Sequence, residues 1–287
     1  MSILSTSQEK QTVIKQGIIS MARDGSQPIE RGGGGKATTP CPPGTLYVVS
    51  TPIGHLDDIT LRALATLRRA TIVASEDPRT TQMLLAHHGI TAIITSYGPS
   101  NCHEKLRLLL HRLMQGEDIA LVSDNGTPVI YDPGSLLVTA AHQAGIPVKS
   151  IPGPSAITAA TAISGLSGDA IIFEGRLPST GPRLARYLSQ FKKERRTLVF
   201  YVRPKTLTEL LNTLAQILPS RQIAVAVNLT TNEETLSRGK PGELLNQIEP
   251  VSNESAVTIV IEGYGAGSHT KTIRRRVPRA THLRGGG

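Results

Sequence analysis

The chain has little aromatic material: no tryptophan, three phenylalanines and six tyrosines among 287 residues. Its cores must therefore be built from Leu, Ile, Val and Ala, of which it has ample amounts for two modest domains. No apolar run approaches the roughly 20 residues a membrane span needs. The N-terminus lacks the charged region, apolar stretch and small-residue cleavage site of a secretory leader. Cysteine is scarce too. Cys41 and Cys102 stand far apart, and neither falls in a metal-ligand spacing, which favours free thiols in a reducing compartment over a disulfide or metal role. No zinc spacing occurs, no internal repeat is visible, and no Ser/His/Asp arrangement stands out. His87 and His88 are helix neighbours whose side chains are expected to diverge, so no metal is expected. After the first strand there is no Gly-x-Gly-x-x-Gly. Thr51-Pro52-Ile53-Gly54 stands there instead, and a prolyl turn with one glycine is poorly suited to a pyrophosphate.

Acidic charge is missing from one end. The net charge is +9, but residues 44–268 carry 20 basic against 19 acidic side chains. Residues 269–287 carry six basic and no acidic ones. A neutral body with a basic end suits contact with phosphate backbones, although a solvated tail with no partner has the same composition. Residues 1–43 contain Gly32-Gly33-Gly34-Gly35 and Pro40-Cys41-Pro42-Pro43 without sustained periodicity, the composition of a disordered tail.

From Leu46 short apolar runs alternate with helical patterns. Strands are expected at 46–50, 71–75, 92–96, 118–123 and 148–151, and helices at 59–69, 79–88, 103–115, 135–144 and 155–164. That alternation implies a mostly parallel sheet covered on both faces. The pattern changes near Gly165–Gly168. Beyond it, strands are expected at 170–174, 197–202, 222–229 and 256–262, with helices at 183–191, 207–218 and 242–248; their directions stay open. The expected division is a tail at 1–43, a domain at 44–166, a second at 167–264 and a basic flexible tail at 265–287.

The chain is organised around Ser123-Asp124-Asn125-Gly126-Thr127-Pro128-Val129-Ile130-Tyr131-Asp132-Pro133-Gly134. Twelve residues are long for a strand-to-helix connection, and long loops tend to carry function. The loop sits at the carboxyl end of a strand, where open α/β sheets bind ligands. Its turns and prolines should make it rigid, with main-chain groups turned outward.

Four blocks share an order and spacing: the run from Thr51-Pro52-Ile53-Gly54 to Leu64, Ser75-Glu76-Asp77-Pro78-Arg79, the long loop, and Ile151-Pro152-Gly153-Pro154-Ser155-Ala156. Together they resemble the tetrapyrrole methylase superfamily and, within it, the ribosomal RNA small subunit methyltransferase I family. The resemblance implies an α/β, two-domain tetrapyrrole-methylase-like fold, with a mostly parallel N-terminal sheet and a mixed C-terminal sheet. It also implies an enzyme that uses S-adenosylmethionine (SAM), bound between the domains, to add a 2′-O-methyl group to a cytidine of small-subunit (16S) rRNA. A cytoplasmic homodimer acting on that rRNA or the 30S subunit is implied as well.

The resemblance assigns Thr51, Pro52, Gly54, Ser123, Asp124, Gly126, Thr127 and Pro128 to the cofactor. Ser155 and Ala156 open a helix on the cofactor side, and Leu177-Pro178 form a loop that approaches it. Glu76, Asp77 and Arg79 match the signature of the rRNA enzymes. Two carboxylates and an arginine at a strand end could orient a nucleotide or accept its proton; a helix-start charge cluster would look the same. Tyr97 and Asn101 match further family positions, with Pro99 and Ser100 where family histidines stand. The second half departs further. Phe200-Tyr201-Val202-Arg203-Pro204-Lys205 replaces a Phe-Tyr-Glu-x-Pro-His motif, and Val227-Asn228-Leu229-Thr230-Thr231 replaces Arg-Glu-Leu-Thr-Lys. Alternatives are a methylase of a small tetrapyrrole, such as a corrin or sirohaem precursor, and a weakened RNA-binding or assembly protein retaining the SAM pocket.

Overall fold

A computed structural model describes residues 42–178 and 181–266. The expectations for Cys41, for the N-terminal tail up to that residue and for the basic stretch 269–287 lie outside the described residues. The chain forms two units: residues up to Thr51 together with Ile59–Gly153, and Pro52–Asp58 together with the chain from Pro154 on.

The first unit holds strands β1 Leu46–Val49, β2 Ile72–Ser75, β3 Ile93–Ser96, β4 Ile119–Val122 and β5 Val148–Ile151. They form one sheet in the order β3-β2-β4-β1-β5, with every pairing parallel. Helices α1 Leu61–Arg69, α2 Pro78–His87, α3 Cys102–Met114 and α4 Ser135–Gln143 connect the strands. The central strands are apolar at nearly every position because both faces are covered. In β4, Ile119 and Leu121 join a core with Leu106, Leu109, Leu113 and Leu137 from α3 and α4. Ala120 and Val122, pointing the other way, pack with Ala63, Leu67 and Leu85 from α1 and α2.

Helix starts follow their caps. Thr60 accepts from the Ala63 N–H at 3.1 Å, so α1 begins at Leu61 rather than at Ile59 as periodicity suggested. Asp77 caps α2, and Pro78 takes the first helical position, where its missing N–H costs nothing. His87 and His88 do not diverge: their rings meet edge-on with centroids 4.7 Å apart, since His88 has already left helical geometry at the C-cap.

The second unit holds β6 Ile171–Arg176, β7 Thr197–Val202, β8 Ile223–Val227, β9 Thr235–Gly239 and β10 Val257–Ile261, with helices α5 Ala156–Ser164, α6 Gly181–Ser189, α7 Leu207–Ile217 and α8 Pro241–Leu244. The sheet order is β6-β7-β10-β8-β9. Strands β6 and β7 pair in parallel, and the other pairings are antiparallel, giving a mixed sheet. One face packs Phe200, Val225 and Ile259 against Leu184, Leu188, Leu211 and Leu214. The other packs Val199, Ala224, Ala226 and Val260 against Ala160, with Ile157 alongside.

That second face moves the expected boundary. Periodicity placed the division near 166; the contacts place it after Gly153, because α5 lies on the β6–β10 sheet. Strand β9 was absent from the expected elements. Its sequence Thr-Leu-Ser-Arg-Gly is polar, because it pairs on one side only, along β8. The expected helix 242–248 shrinks to α8, four residues long.

Candidate functional site

In the first-unit sheet, β4 lies between β2 and β1. Parallel pairing puts the carboxyl ends of all three on one edge, so the segments after them converge. Thr51 follows β1, Glu76 and Asp77 follow β2, and the loop Ser123–Gly134 follows β4.

Thr51 ties the loop down. It forms an isolated antiparallel bridge with Gly126: Thr51 N–H donates to the Gly126 carbonyl at 2.8 Å, and Gly126 N–H donates back at 3.2 Å. The Thr51 hydroxyl donates to the Ser123 carbonyl at 3.0 Å, and the Ser123 hydroxyl donates to the Gly126 carbonyl at 3.1 Å. Thr51 and Ser123 are buried. Both side chains therefore shape the loop, and their hydroxyl protons are already spent. Thr127 shares a hydrogen bond with Ser50 at 3.0 Å. Four residues of the loop have positive φ: Gly126, Val129, Tyr131 and Gly134. At Val129 and Tyr131 that conformation is uncommon and strained, held by the ties on either side. The expected rigidity thus has a specific origin. Pro128 is buried, while Ile130 and Tyr131 are exposed.

Carboxylates gather on this edge. The Asp77 N–H donates to Asp124 Oδ1 at 2.9 Å. Burial raises the Asp124 carboxyl above its ordinary value, that N–H opposes the rise, and the Asp77 charge adds to it. Glu76 is raised by burial, then by the charges of Asp124 and Asp77. Asp132 is pushed up to about 7, chiefly by burial and then by the charges of Glu76 and Asp124. Glu76, Asp124 and Asp132 thus form one electrostatic group spanning two loops. A cation placed among them would relieve their repulsion, and the one nearest neutrality can take a proton.

Asp132 is what residue reading alone undervalued. Its Asp-Pro-Gly turn marked it as a loop residue, but its approach to Glu76 depends on the neighbouring of β2 and β4. Asp77 is engaged locally as well. It caps α2, accepting from Arg79 N–H at 2.9 Å and from the Thr80 hydroxyl at 3.2 Å. The Arg79 side chain is exposed in the first turn of α2. Tyr97 is wholly buried in the core shared with α3 and α4. Asn101 closes a turn, accepting from Gly98 N–H and donating to the Ser96 hydroxyl, both at 2.9 Å. These two are structural.

The remaining expected residues lie in the second unit. A methyl group on Gly54 would collide with the Leu229 carbonyl and stand 2.6 Å from Thr230 Oγ1 and 2.8 Å from Thr231 Cγ2. Close chain approach therefore explains that glycine. Pro52 belongs to the same segment. Ser155 is the N-cap of α5 but makes no side-chain capping bond, and Ala156 packs on the core with Ala160. Leu177 and Pro178 line a small open pocket with Arg176, Tyr201, Arg203 and Thr206.

A parallel α/β unit followed by a mixed-sheet unit is the plan shared by solved tetrapyrrole methylases. A model of that family, Tetrapyrrole (Corrin/Porphyrin) Methylases, matches residues 45–245. Among solved structures, the methyltransferase CobJ aligns with a TM-score of 0.58 at 22% identity, over 77% of this chain and 95% of that one. Uroporphyrin-III-C-methyltransferase from Thermus thermophilus aligns with a TM-score of 0.53 at 21% identity, over 76% and 94%. Both share the fold. Sequence relatives are nearer. The chain is 39% identical over 220 residues to Ribosomal RNA small subunit methyltransferase I of Thermotoga maritima, covering 77% of this chain and 99% of that protein. It is 43% identical over 225 residues to the protein of that name from Xylella fastidiosa, covering 78% and 82%. This chain belongs to the ribosomal RNA small subunit methyltransferase I family of tetrapyrrole methylases.

Proposed function

We propose that the protein transfers a methyl group from SAM to a ribose 2′-hydroxyl of a cytidine in small-subunit rRNA. The reading rests on family membership, and one observation in the chain carries its chemistry: Glu76, Asp124 and Asp132 crowd together on one loop edge, each carboxyl holding its proton to higher pH than usual. SAM supplies a methyl on a positive sulfonium, together with an ammonium and two ribose hydroxyls. A trio of crowded carboxylates suits that charge, so the donor set fits the cofactor. Asp124 and the main chain of Gly126, Thr127 and Pro128 are assigned to hold it. Thr51 and Ser123 remain cofactor-side assignments whose hydroxyls tie the loop.

The ribose hydroxyl is a weak nucleophile, and a base helps by accepting its proton as attack proceeds. Asp132, near neutrality at about 7, is assigned that proton, with Glu76 tuning it. Asp77 positions Asp124 through its N–H, and Arg79 is assigned to the RNA phosphate. In the second unit, Ser155, Leu177 and Pro178 remain cofactor-side assignments; Gly54 and Ala156 have packing reasons of their own, and Pro52 starts the segment that carries Gly54. The protein is assigned to the cytoplasm, as a homodimer acting on the small subunit.

Purified full-length chain, isotope-labelled SAM and small-subunit RNA give the test. Label recovered in 2′-O-methylcytidine after nucleoside digestion supports the reading. Label on a base carbon, or only on a corrin or sirohaem precursor offered in parallel, overturns it.

A further inference from the structure

The two ends of the second sheet differ in charge. Leu177 and Pro178 follow β6, at the end where β6 and β7 finish. At the opposite end β6, β7 and β8 begin and β10 finishes. The six residues of β7 hold the two ends roughly 20 Å apart. The connection from α6 to β7 crosses the second end with the sequence Lys192-Lys193-Glu194-Arg195-Arg196. Phe191 and Thr197 are buried on either side of it. Lys192 and Glu194 N–H groups close turns on the Ser189 and Phe191 carbonyls at 3.3 and 3.0 Å. The polar residues between the two anchors are turned outward, and Lys192, Lys193, Arg195 and Arg196 are exposed. The carboxylates at this end are engaged. Arg196 holds Glu194 in a fork, its Nε and Nη2 donating to Oε1 and Oε2 at 2.9 Å each. Glu262 accepts from Gln222 N–H at 3.2 Å; burial pushes the Arg221 guanidinium down, and the Glu262 charge opposes that. Asp169 accepts from the Ser167 hydroxyl at 3.0 Å. Lys192, Lys193 and Arg195 are left as exposed cations that no carboxylate of the turn answers.

An aromatic ring stands beside these cations. Tyr264 N–H donates to the Glu194 carbonyl at 2.6 Å. The Arg221 guanidinium, which donates to the Phe191 and Lys192 carbonyls at 2.8 and 3.0 Å, lies 5.8 Å from the centre of the Tyr264 ring. Tyr264 is nevertheless 54% exposed, so the ring keeps open surface away from Arg221. A methyl group on Gly263 would run into the Arg195 carbonyl, which shows how closely the chain after β10 lies on the turn. The described chain ends at Ala266, just past Tyr264, and the sequence 269–287 that follows adds six basic side chains and no acidic ones. Exposed cations interleaved with an aromatic ring are the footprint of nucleic-acid contact. The cations neutralise phosphates without reading sequence, and the ring accepts a stacked base of any identity.

We propose that this end of the second sheet is a docking surface for an RNA strand, with Lys192, Lys193 and Arg195 on its phosphates, Tyr264 against a base and the basic C-terminal stretch extending the contact. This rests on the rRNA reading above for the nature of the polymer. The surface holds the polymer, so it bears on RNA affinity and not on the transfer step.

The test uses the full-length chain, a triple variant carrying Lys192→Gln, Lys193→Gln and Arg195→Gln, the single variants Tyr264→Leu and Tyr264→Phe, and a labelled single-stranded oligoribonucleotide of small-subunit rRNA sequence. Anisotropy titrations over a salt series give the affinity and its slope; calorimetry gives SAM affinity. The triple variant is expected to lower the log–log salt slope by about 2, at about 0.7 per contact, and to weaken binding about a hundredfold at about 0.1 M salt. Tyr264→Leu should weaken binding about tenfold, and Tyr264→Phe should bind as wild type does. In the methylation assay the triple variant should raise KM for RNA and leave kcat unchanged. SAM affinity and the unfolding midpoint should not move. An unchanged slope in the triple variant overturns the proposal, as does a loss of SAM affinity with RNA binding intact, or Tyr264→Phe binding as weakly as Tyr264→Leu. If the wild-type chain methylates rRNA while its RNA binding ignores the three cations, this proposal fails and the enzymatic reading stands. If RNA binding depends on them but no methyl is transferred, the enzymatic reading fails and this proposal stands.

Discussion

Replacing Asp132 with Asn removes the carboxyl of the acidic trio that is pushed up to about 7. The structure sets the size and shape of the effect. An ordinary exposed aspartate titrates near 3.8, so a rate depending on it would be flat above about pH 5. With the group at about 7, only about a tenth is ionised at pH 6 and about a hundredth at pH 5. kcat/KM for methyl transfer should therefore climb about tenfold per pH unit from about 5 to 6.5 and level off above about 7.5. That profile reports the free enzyme. In the SAM complex a bound cation favours the ionised form, so kcat should level off at lower pH. Asp132→Asn should lower the plateau by about 10²–10⁴, the usual contribution of a general base, or about 3–5 kcal/mol of barrier. Glu76→Gln should shift the inflection toward acid, because Glu76 is the largest charge raising Asp132. Stability runs the opposite way: the native state keeps a proton that the unfolded chain has released, so the contribution of Asp132 to stability declines as pH rises from about 4 to about 7. The assay is a pH series with labelled SAM and small-subunit RNA. A flat wild-type profile from about pH 5 to 8, or an inflection that survives Asp132→Asn, refutes the assignment.

Gly54→Ala should destabilise the second unit by about 1–3 kcal/mol, since its new methyl meets backbone at Leu229; a urea midpoint equal to wild type would contradict this. Arg221→Met should cost on the order of 3 kcal/mol, because the buried guanidinium donates to the carbonyls of Glu262, Phe191 and Lys192 at 2.6, 2.8 and 3.0 Å; thermal unfolding checks it. Thr51→Val keeps the shape but deletes the hydroxyl bonded to Ser123 and Gly126. It should cost about 1–2 kcal/mol and weaken SAM binding by loosening the loop, read by calorimetry. Removing residues 269–287, with their six basic side chains, should lower the RNA salt slope by up to about 4.

Much of the first unit was legible because its strands are buried on both faces. Continuous apolar runs such as 119–122, separated by helical periodicity, need no tertiary information to be read as a parallel sheet. The family was legible because its motifs sit in loops, where residue type answers to chemistry and turn geometry rather than to a particular core. Edge strand β9 was not legible, since a strand paired on one side carries no apolar signature. Nor was the placement of α5, whose small apolar face of Ala156, Ile157 and Ala160 suits either sheet until the packing is known.

Residue types and spacing alone determined the alternating α/β first half and the long loop after β4; the mixed second sheet and the family came from the resemblance of four loop blocks to a known family. Only the tertiary structure decided which residues share a task. The hydroxyls of Thr51 and Ser123 tie the loop internally because β1 lies beside β4. Asp77 caps α2, and Asp132, raised chiefly by its own burial, also feels the Glu76 charge because β2 lies on the other side of β4. A side chain's acidity and hydrogen bonds depend on what stands within a few ångströms, and in a crossed parallel sheet those neighbours come from distant parts of the chain.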